Sequence, residues 1–183
     1  MALVHYPVLN KNNDIIASAV TNLDLHDIAR AAKTYGVKSF YVVTPLKDQI
    51  ALVKRVISHW TNGSGSNYNP KRREALELIR VRETIKAVVD DIRTRGNHET
   101  TPKTIVTSAR QSRGNLSFYG FRELLKDGNP YVLVLGTAWG LCESIICSAD
   151  YVLDAVRGST DYNHLSVRSA AAVIFDRLIG KRN

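Results

Sequence analysis

Residues 161–171 read Asp-Tyr-Asn-His-Leu-Ser-Val-Arg-Ser-Ala-Ala, a polar cluster that runs directly into an alanine-rich segment. Small side chains at 169–172 allow a helix there to pack closely against another backbone. A polar turn joined to such a helix can present fixed hydrogen-bonding groups to a small ligand. The same pattern also fits a plain helix start that Asn163 caps without binding anything. The stretch alone leaves both interpretations open.

Strand-like runs alternate with helical periodicity along the rest of the chain. The predicted strands are 2–8, 15–20, 37–43, 103–107, 131–135 and 151–156. The predicted helices are 25–35 with Asp24 as cap, 50–60, 118–126, 141–147 and 163–178, and a long helix follows Lys71-Arg72-Arg73 with Leu78, Val81, Ile85, Val88 and Ile92 on one stripe.

This alternation predicts an α/β fold, with a mainly parallel sheet that helices cover on both faces. Ligands of such sheets bind beyond the carboxyl ends of the strands. That rule places three loops, 107–110, 136–140 and 156–158, at one rim. The rim is therefore the expected site.

Length and composition narrow the class of protein. The 183 residues fit one domain, and a loop with a long helix at about 61–98 is expected as its elaboration. The formal net charge of +8 favours a polyanionic partner such as a nucleic acid. Cys142 and Cys147 are expected to be small core residues of a cytoplasmic protein. No leader and no membrane-spanning stretch is expected.

Several kinds of active site are disfavoured. The glycine turn at 136–140 lacks the lysine of a phosphate-cradling loop and is not a GxGxxG fingerprint. Ser144 and Ser166 lack the context of a hydrolase nucleophile. No metal site is expected, because the histidines are scattered singly at His5, His26, His59, His98 and His164.

Basic residues cluster at Lys71-Arg72-Arg73 and again at Arg110 and Arg113. Solvated helix faces explain part of this, since Glu77 stands four residues after Arg73 and can pair with it. Arg110 and Arg113 follow a strand at the expected ligand rim. Contact with nucleic acid is therefore predicted for Lys71, Arg72, Arg110 and Arg113.

Three segments together resemble the SPOUT class of S-adenosylmethionine-dependent RNA methyltransferases, and most closely its small single-domain bacterial branch. The first motif is similar to 21–37, an asparagine turn that opens a helix with Arg30 and ends at Tyr35-Gly36. The second is similar to Leu-Gly-Thr-Ala-Trp-Gly-Leu at 135–141. The third is similar to 154–172 and is the most specific.

The resemblance implies a C-terminal trefoil knot and a homodimer with its active site at the subunit interface. It also implies S-adenosylmethionine as cofactor, no metal, structured RNA as substrate and Arg30 as the catalytic, RNA-contacting residue. The implied cofactor pocket consists of Thr107, Leu135, Gly136, Thr137, Gly140, Leu153, Val156, Gly158, Tyr162, Asn163, His164, Leu165 and Ser169.

Departures from the family pattern leave the chemistry open. Asp24 stands where the ribose-methylating branch has asparagine, and Thr137 replaces a common glutamate. The methyl acceptor can be a ribose 2′-hydroxyl or a base nitrogen, with Asp24, Asp161 or His164 accepting the proton. Arg30 can instead be a surface residue that pairs with Asp27. A non-catalytic RNA-binding or ribosome-associated protein, or an α/β module for another nucleotide, is the alternative to an enzyme.

Overall fold

The described residues of the chain form one six-stranded sheet and a small two-stranded one. The computed structural model describes residues 1–96, 99–109 and 114–182. The strands are β1 (Ala2–Val4), β2 (Val8–Leu9), β3 (Ile15–Ile16), β4 (Phe40–Val43), β5 (Ile79–Arg82), β6 (Lys103–Thr107), β7 (Tyr131–Gly136) and β8 (Tyr151–Leu153). The large sheet has the order β5-β4-β1-β7-β6-β8, and all its neighbours pair parallel.

Alternate residues of the central strands point to opposite faces of this sheet, as strand geometry requires. Leu3, Val42 and Leu135 belong to the core on one face, and Val4 and Val134 belong to the core on the other. Because both faces are buried, the central strands are nearly continuous apolar runs. This accounts for the clear strand pattern at 131–135.

Helices cover both faces, which confirms the predicted α/β class. They are α1 (Asn22–Thr34), α2 (Lys47–Thr61), α3 (Ser64–Tyr68), α4 (Pro70–Leu76), α5 (Ile85–Gly96), α6 (Phe118–Leu124), α7 (Glu143–Ser148) and α8 (Val167–Ile179). The first face carries α1, α2, α4, α6 and α8, and the second carries α5 and α7. Helix α8 packs directly along α1.

The predicted long helix after Lys71 is wrong. Helix α4 ends at Leu76, and residues 79–82 form the edge strand β5, which pairs parallel with β4. Leu78, Val81 and Ile85 fall at helical spacing although they belong to different elements. Leu78 follows the end of α4, Val81 lies in β5, and Ile85 begins α5. Ile79 and Val81 alternate with two arginines, which is the pattern of an edge strand. What remains of the elaboration is the short pair α3–α4 before β5.

Two predicted helix caps are also wrong. Thr21, and not Asp24, caps α1, because its hydroxyl oxygen accepts from the Asp24 amide at 3.1 Å. Ser166 caps α8 by accepting from the Ser169 amide at 3.2 Å, so Asn163 lies outside the helix. Both caps are hydroxyl side chains three residues before the amide they bind.

Smaller differences concern the ends of elements and one cysteine. The first two predicted strands are shorter, and β2 and β3 form an antiparallel hairpin between β1 and α1. Strand β8 ends at Leu153, and α7 begins at Glu143. Cys142 is buried as expected, whereas Cys147 is exposed. No helix in the described part of the chain is long and apolar enough to cross a membrane. The trefoil knot stays a prediction.

Candidate cofactor site at the carboxyl rim

The carboxyl ends of three neighbouring strands meet at one edge of the sheet. Strand β6 lies between β7 and β8, and Thr107 is in register with Leu153 at the end of both strands. Thr107 Oγ1 donates to the Val134 carbonyl on β7 at 3.3 Å. The loops that follow β6, β7 and β8 therefore start side by side, as the rim prediction requires.

The second-motif turn, residues 136–140, requires glycine at two positions, Gly136 and Gly140. A Cβ on Gly136 would lie 2.7 Å from the Leu141 nitrogen and 2.9 Å from the Gly140 carbonyl carbon. Gly140 has φ +104°, a left-handed conformation that other residues rarely adopt. The turn also pairs with β2, because the Trp139 amide donates to Leu9 O and the Leu9 amide donates to Gly140 O.

Thr137 is part of a buried hydrogen-bond chain, so its side chain is fixed by the protein. Its hydroxyl donates to the Val4 carbonyl at 2.9 Å, and its Oγ1 lies 2.5 Å from Ser18 Oγ. The Ser18 hydroxyl must therefore be the donor in the second bond. His5 Nδ1, at 3.0 Å from Ser18 Oγ, must in turn carry its proton.

His5 is fully buried, and its Nε2 has no hydrogen-bond partner among the described residues. Burial, partly offset by the charge of Asp24, lowers the pKa of His5 from its ordinary value of 6.5. A protonated imidazole would place an unpaired N–H in the core. His5 is thus a neutral residue that stabilises the second-motif turn through Ser18 and Thr137.

This burial predicts a pH-dependent stability. Below the ordinary pKa the unfolded chain binds a proton at His5 that the folded protein does not take up, so acid favours unfolding. The stability contributed by neutral His5 is complete above pH 6.5 and is lost progressively below it. In urea unfolding between about pH 7.5 and about pH 5, His5→Asn should lose less stability than the wild type. Equal losses in both proteins would contradict this role of His5.

The third-motif turn, residues 161–166, contacts the loop after β6. Asn163 Nδ2 donates to the Ala109 carbonyl at 3.0 Å. Tyr162 is 77% exposed and Leu165 is 46% exposed, while the rings of Tyr162 and His164 pack edge to face at 6.3 Å. Asn163 therefore joins two loops of the rim, and the neighbouring side chains stay open to a ligand.

An ion pair joins the third motif to the first. Arg168 Nη1, in the first turn of α8, lies 2.8 Å from Asp24 Oδ1 in the first turn of α1. Asp24 is only 5% exposed and also accepts from the Thr21 hydroxyl at 2.6 Å. Arg168 Nε lies 3.5 Å from Asp27. Because Asp24 is already paired, it is poorly suited to accept a proton from a substrate.

The predicted pocket residues contribute in two different ways. The side chains of Leu135 and Leu153 are buried in the core, so only their backbone groups can contact a ligand. In contrast, open space surrounds the Cα positions of Gly140 and Gly158. Backbone amides and carbonyls next to exposed aromatic rings suit a planar, polar nucleoside. The predicted cofactor contacts thus divide into backbone groups of Leu135 and Leu153 and the uncrowded sides of Gly140 and Gly158.

The predicted RNA-binding residues fall into two groups. Arg30, Lys71 and Arg72 line one open cleft of about 400 Å³ between α1 and α4. Arg110 and Arg113 lie outside the described residues. Asp27 pairs with Arg168, so the expected alternative of an Arg30–Asp27 pair is not what the described residues form. Among the described residues, the ion pairs between the first and third motifs join Arg168 to Asp24 and Asp27, and none of them involves Arg30.

Sequence reasoning missed His5, Ser18 and Trp60. His5 directly follows β1 at the same rim, so the strand-end rule could have found it. Ser18 carries no local signal, because its partners are remote in sequence. Trp60 contacts the rings of both His26 and His59, which sequence spacing alone does not reveal.

Comparison with known proteins identifies the family. A family model described as SAM-dependent RNA methyltransferase matches residues 1–180. The chain belongs to this family. A tRNA (guanine-N(1)-)-methyltransferase from Oleidesulfovibrio alaskensis is 43% identical over 179 residues, which are 98% of this chain and 41% of that protein. An uncharacterized protein from Aquifex aeolicus is 36% identical over 183 residues, 99% of this chain and 88% of that protein.

A solved structure shares the fold. The SpoU methyltransferase AviRb from Streptomyces viridochromogenes, determined in complex with the cofactor AdoMet, matches with a TM-score of 0.60 and 15% identity. The match covers 97% of this chain and 55% of that chain. The family match confirms the predicted class of S-adenosylmethionine-dependent RNA methyltransferases, and the shared fold agrees with the predicted SPOUT-like architecture. The chain spans only about two fifths of the length of the guanine-N1 methyltransferase relative.

Proposed function

We propose that this chain transfers the methyl group of S-adenosylmethionine to structured RNA. The family match over residues 1–180 carries the proposal. The geometry supports it, since three loops with glycine or polar turns start side by side at the carboxyl rim. The guanine-N1 activity in the name of one relative belongs to a protein more than twice as long. That name favours tRNA as the substrate class without assigning the atom that accepts the methyl group. We place the reaction in the cytoplasm.

In this proposal the rim residues hold the cofactor, which supplies an electrophilic methyl group on a sulfonium. Backbone groups of Leu135, Gly136, Gly140 and Leu153 would hold the adenosyl part. The same pocket would be lined by Thr107, Thr137, Val156, Gly158 and Ser169, and by the turn residues Tyr162, Asn163, His164 and Leu165. Holding the methyl group in line with its acceptor supplies most of the catalysis.

Both possible methyl acceptors, a base nitrogen and a ribose hydroxyl, need a proton acceptor from the chain. Asp24 is buried and paired with Arg168, which leaves Asp161 and His164 on the exposed third-motif turn. A base nitrogen that bears a proton needs such a group, and so does a ribose hydroxyl as it attacks. We assign proton acceptance to this turn. Analysis of the methylated nucleosides in the product will identify the atom that accepts the methyl group.

A homodimer with the active site at the subunit interface fits the position of Arg30. Within one protomer, Arg30 lines the α1–α4 cleft and is exposed. Trp139, Tyr162 and Leu165 are exposed at the rim. We propose that Arg30 of one protomer faces the cofactor turns of its partner and contacts the RNA at the reacting nucleotide.

The function is tested by transfer of labelled methyl groups into RNA that lacks modifications. The wild type is expected to label tRNA. Arg30→Ala is expected to lower the transfer rate about 100-fold, because positioning of the acceptor is lost, while the affinity for S-adenosylmethionine is kept. Loss of cofactor binding in Arg30→Ala would contradict this role. RNA binding without any transfer by the wild type would instead support a non-catalytic RNA-binding protein.

A further inference from the structure

The cleft between α1 and α4 carries positive charge beyond that of Arg30, the residue of its lining that the proposed reaction uses. Arg30 and Lys33 from α1 face Lys71 and Arg72 from α4, and Glu74 is the one acidic residue of its lining among the described residues. The lining is mostly polar, which does not suit an apolar ligand. Its charge and shape suit a polyanionic chain that passes through it.

Arg72 is held in place by an aromatic side chain. Its guanidinium carbon lies 4.6 Å from the centre of the Trp60 ring, a cation–π geometry. A Cβ on Gly65 would lie 2.7 Å from the Trp60 ring, so glycine lets α3 pack directly on the indole. His26 meets the same ring edge to face at 5.3 Å. Trp60 therefore fixes the direction of Arg72 before any ligand binds.

The charges of Arg72 and Arg30 are not neutralised by the protein. Within the described part of the chain, no carboxylate forms an ion pair with either arginine, and Arg72 Nε has no hydrogen-bond partner there. Burial and the nearby charge of Arg72 both lower the pKa of His26. The guanidinium group of Arg72, which Trp60 holds in place, and the exposed guanidinium group of Arg30 are thus available to an anion.

Glu74 restrains the two lysines of the cleft. Its carboxylate lies 3.1 Å from Lys71 Nζ and 4.0 Å from Lys33 Nζ. Such exposed pairs are weak, so a stronger anion can compete for both lysines. Glu74 consequently lowers the affinity of the cleft for anions without closing it.

We propose that this cleft binds two adjacent phosphates of the RNA backbone, through Arg30 and Arg72, with Lys33 and Lys71 as weaker contacts. The inference rests on RNA as the substrate of the proposed function. Guanidinium groups bind phosphate oxygens in a fork geometry, and Trp60 preorganises one of them. Tyr68, 85% exposed and next to Asn69 of the cleft lining, offers a face on which an unpaired base can stack. Inorganic phosphate cannot use that face.

The test is the salt dependence of RNA binding by the full chain. An unmodified tRNA transcript is titrated by fluorescence anisotropy at several KCl concentrations. Arg72→Ala should weaken binding about tenfold and reduce the slope of log K against log salt by about 0.7–0.9, the release of one phosphate contact. Lys126→Ala, which removes a lysine paired with Glu123 elsewhere on the surface, should leave the slope unchanged.

Two further variants separate this role from a merely structural one. Glu74→Gln should bind the transcript several-fold more tightly with a steeper slope, because both lysines are released. Arg72→Lys should restore the slope but not the full affinity, since lysine lacks the planar group that stacks on Trp60. Affinity for S-adenosylmethionine should stay unchanged in all of them, as a check on folding.

Unchanged slopes in Arg72→Ala, or weaker binding in Glu74→Gln, would overturn the cleft assignment, whatever the methyl-transfer assay shows. A wild type that binds RNA through the cleft but transfers no methyl group would overturn the proposed function and leave the cleft standing. Binding of inorganic phosphate with the affinity of the transcript would overturn RNA as the ligand.

Discussion

Replacing Gly136 by valine is expected to abolish cofactor binding, with a loss of at least about 100-fold in affinity for S-adenosylmethionine. A Cβ at this position would lie within 3 Å of backbone atoms of Gly140 and Leu141, which cannot rotate away as a side chain can. The second-motif turn must therefore open, and its pairing with Leu9 is disturbed. Isothermal titration calorimetry of the variant and the wild type measures the effect.

Gly120→Ala is the matched control for this glycine. A Cβ there would lie 3.3 Å from the ends of the Leu116 and Ser117 side chains, and the site is inside α6. The higher helix propensity of alanine compensates a small packing cost, so cofactor affinity should stay within about twofold of the wild type.

Overpacking in Gly136→Val should also cost about 1–3 kcal/mol of stability, which thermal unfolding reports. Normal cofactor affinity in Gly136→Val would show that the turn does not form the site.

Arg168→Ala is expected to lower the free energy of unfolding by about 2–3 kcal/mol, because it leaves the buried Asp24 carboxylate without its cation. The full cost of breaking a buried pair is about 3–5 kcal/mol, and the one-third exposure of the Arg168 side chain reduces it. Denaturant unfolding at neutral pH measures the change. Since the pair joins the first turns of α1 and α8, cofactor affinity should fall as well.

The exposed pair of Arg182 and Asp176 is the control, and Arg182→Ala should cost less than about 1 kcal/mol. In a double-mutant cycle, Asp24→Asn combined with Arg168→Ala should cost less than the sum of the two single changes. Strictly additive losses would mean that the two side chains do not interact in solution.

The parallel sheet could be predicted from the sequence because its central strands are buried on both faces. Residues 131–135 and 40–43 are short apolar runs without helical periodicity. Strand β5 was not predicted because Leu78 and Val81 fall at helical spacing with Ile85 of the helix that follows. The pairing with β4 decides for the strand, and this pairing joins residues remote in sequence.

The rim loops of the site could be predicted from strand ends, but the contacts that fix them could not. Asn163 was expected to cap α8, and it donates instead to Ala109, 54 positions away. Asp24 and Arg168 are 144 positions apart, and Ser18 and Thr137 are 119 apart. Such pairs depend on the tertiary fold, so local residue patterns identify the participants without their partners.

Titration of the wild type with S-adenosylmethionine in a calorimeter shows whether the three rim loops form a cofactor site. The three rim loops should bind the cofactor with a Kd well below about 1 mM, a free energy more favourable than about −4 kcal/mol. Gly136→Val should give no measurable heat under the same conditions, and Gly120→Ala should reproduce the wild type. No binding by the folded wild type at millimolar cofactor would contradict the account.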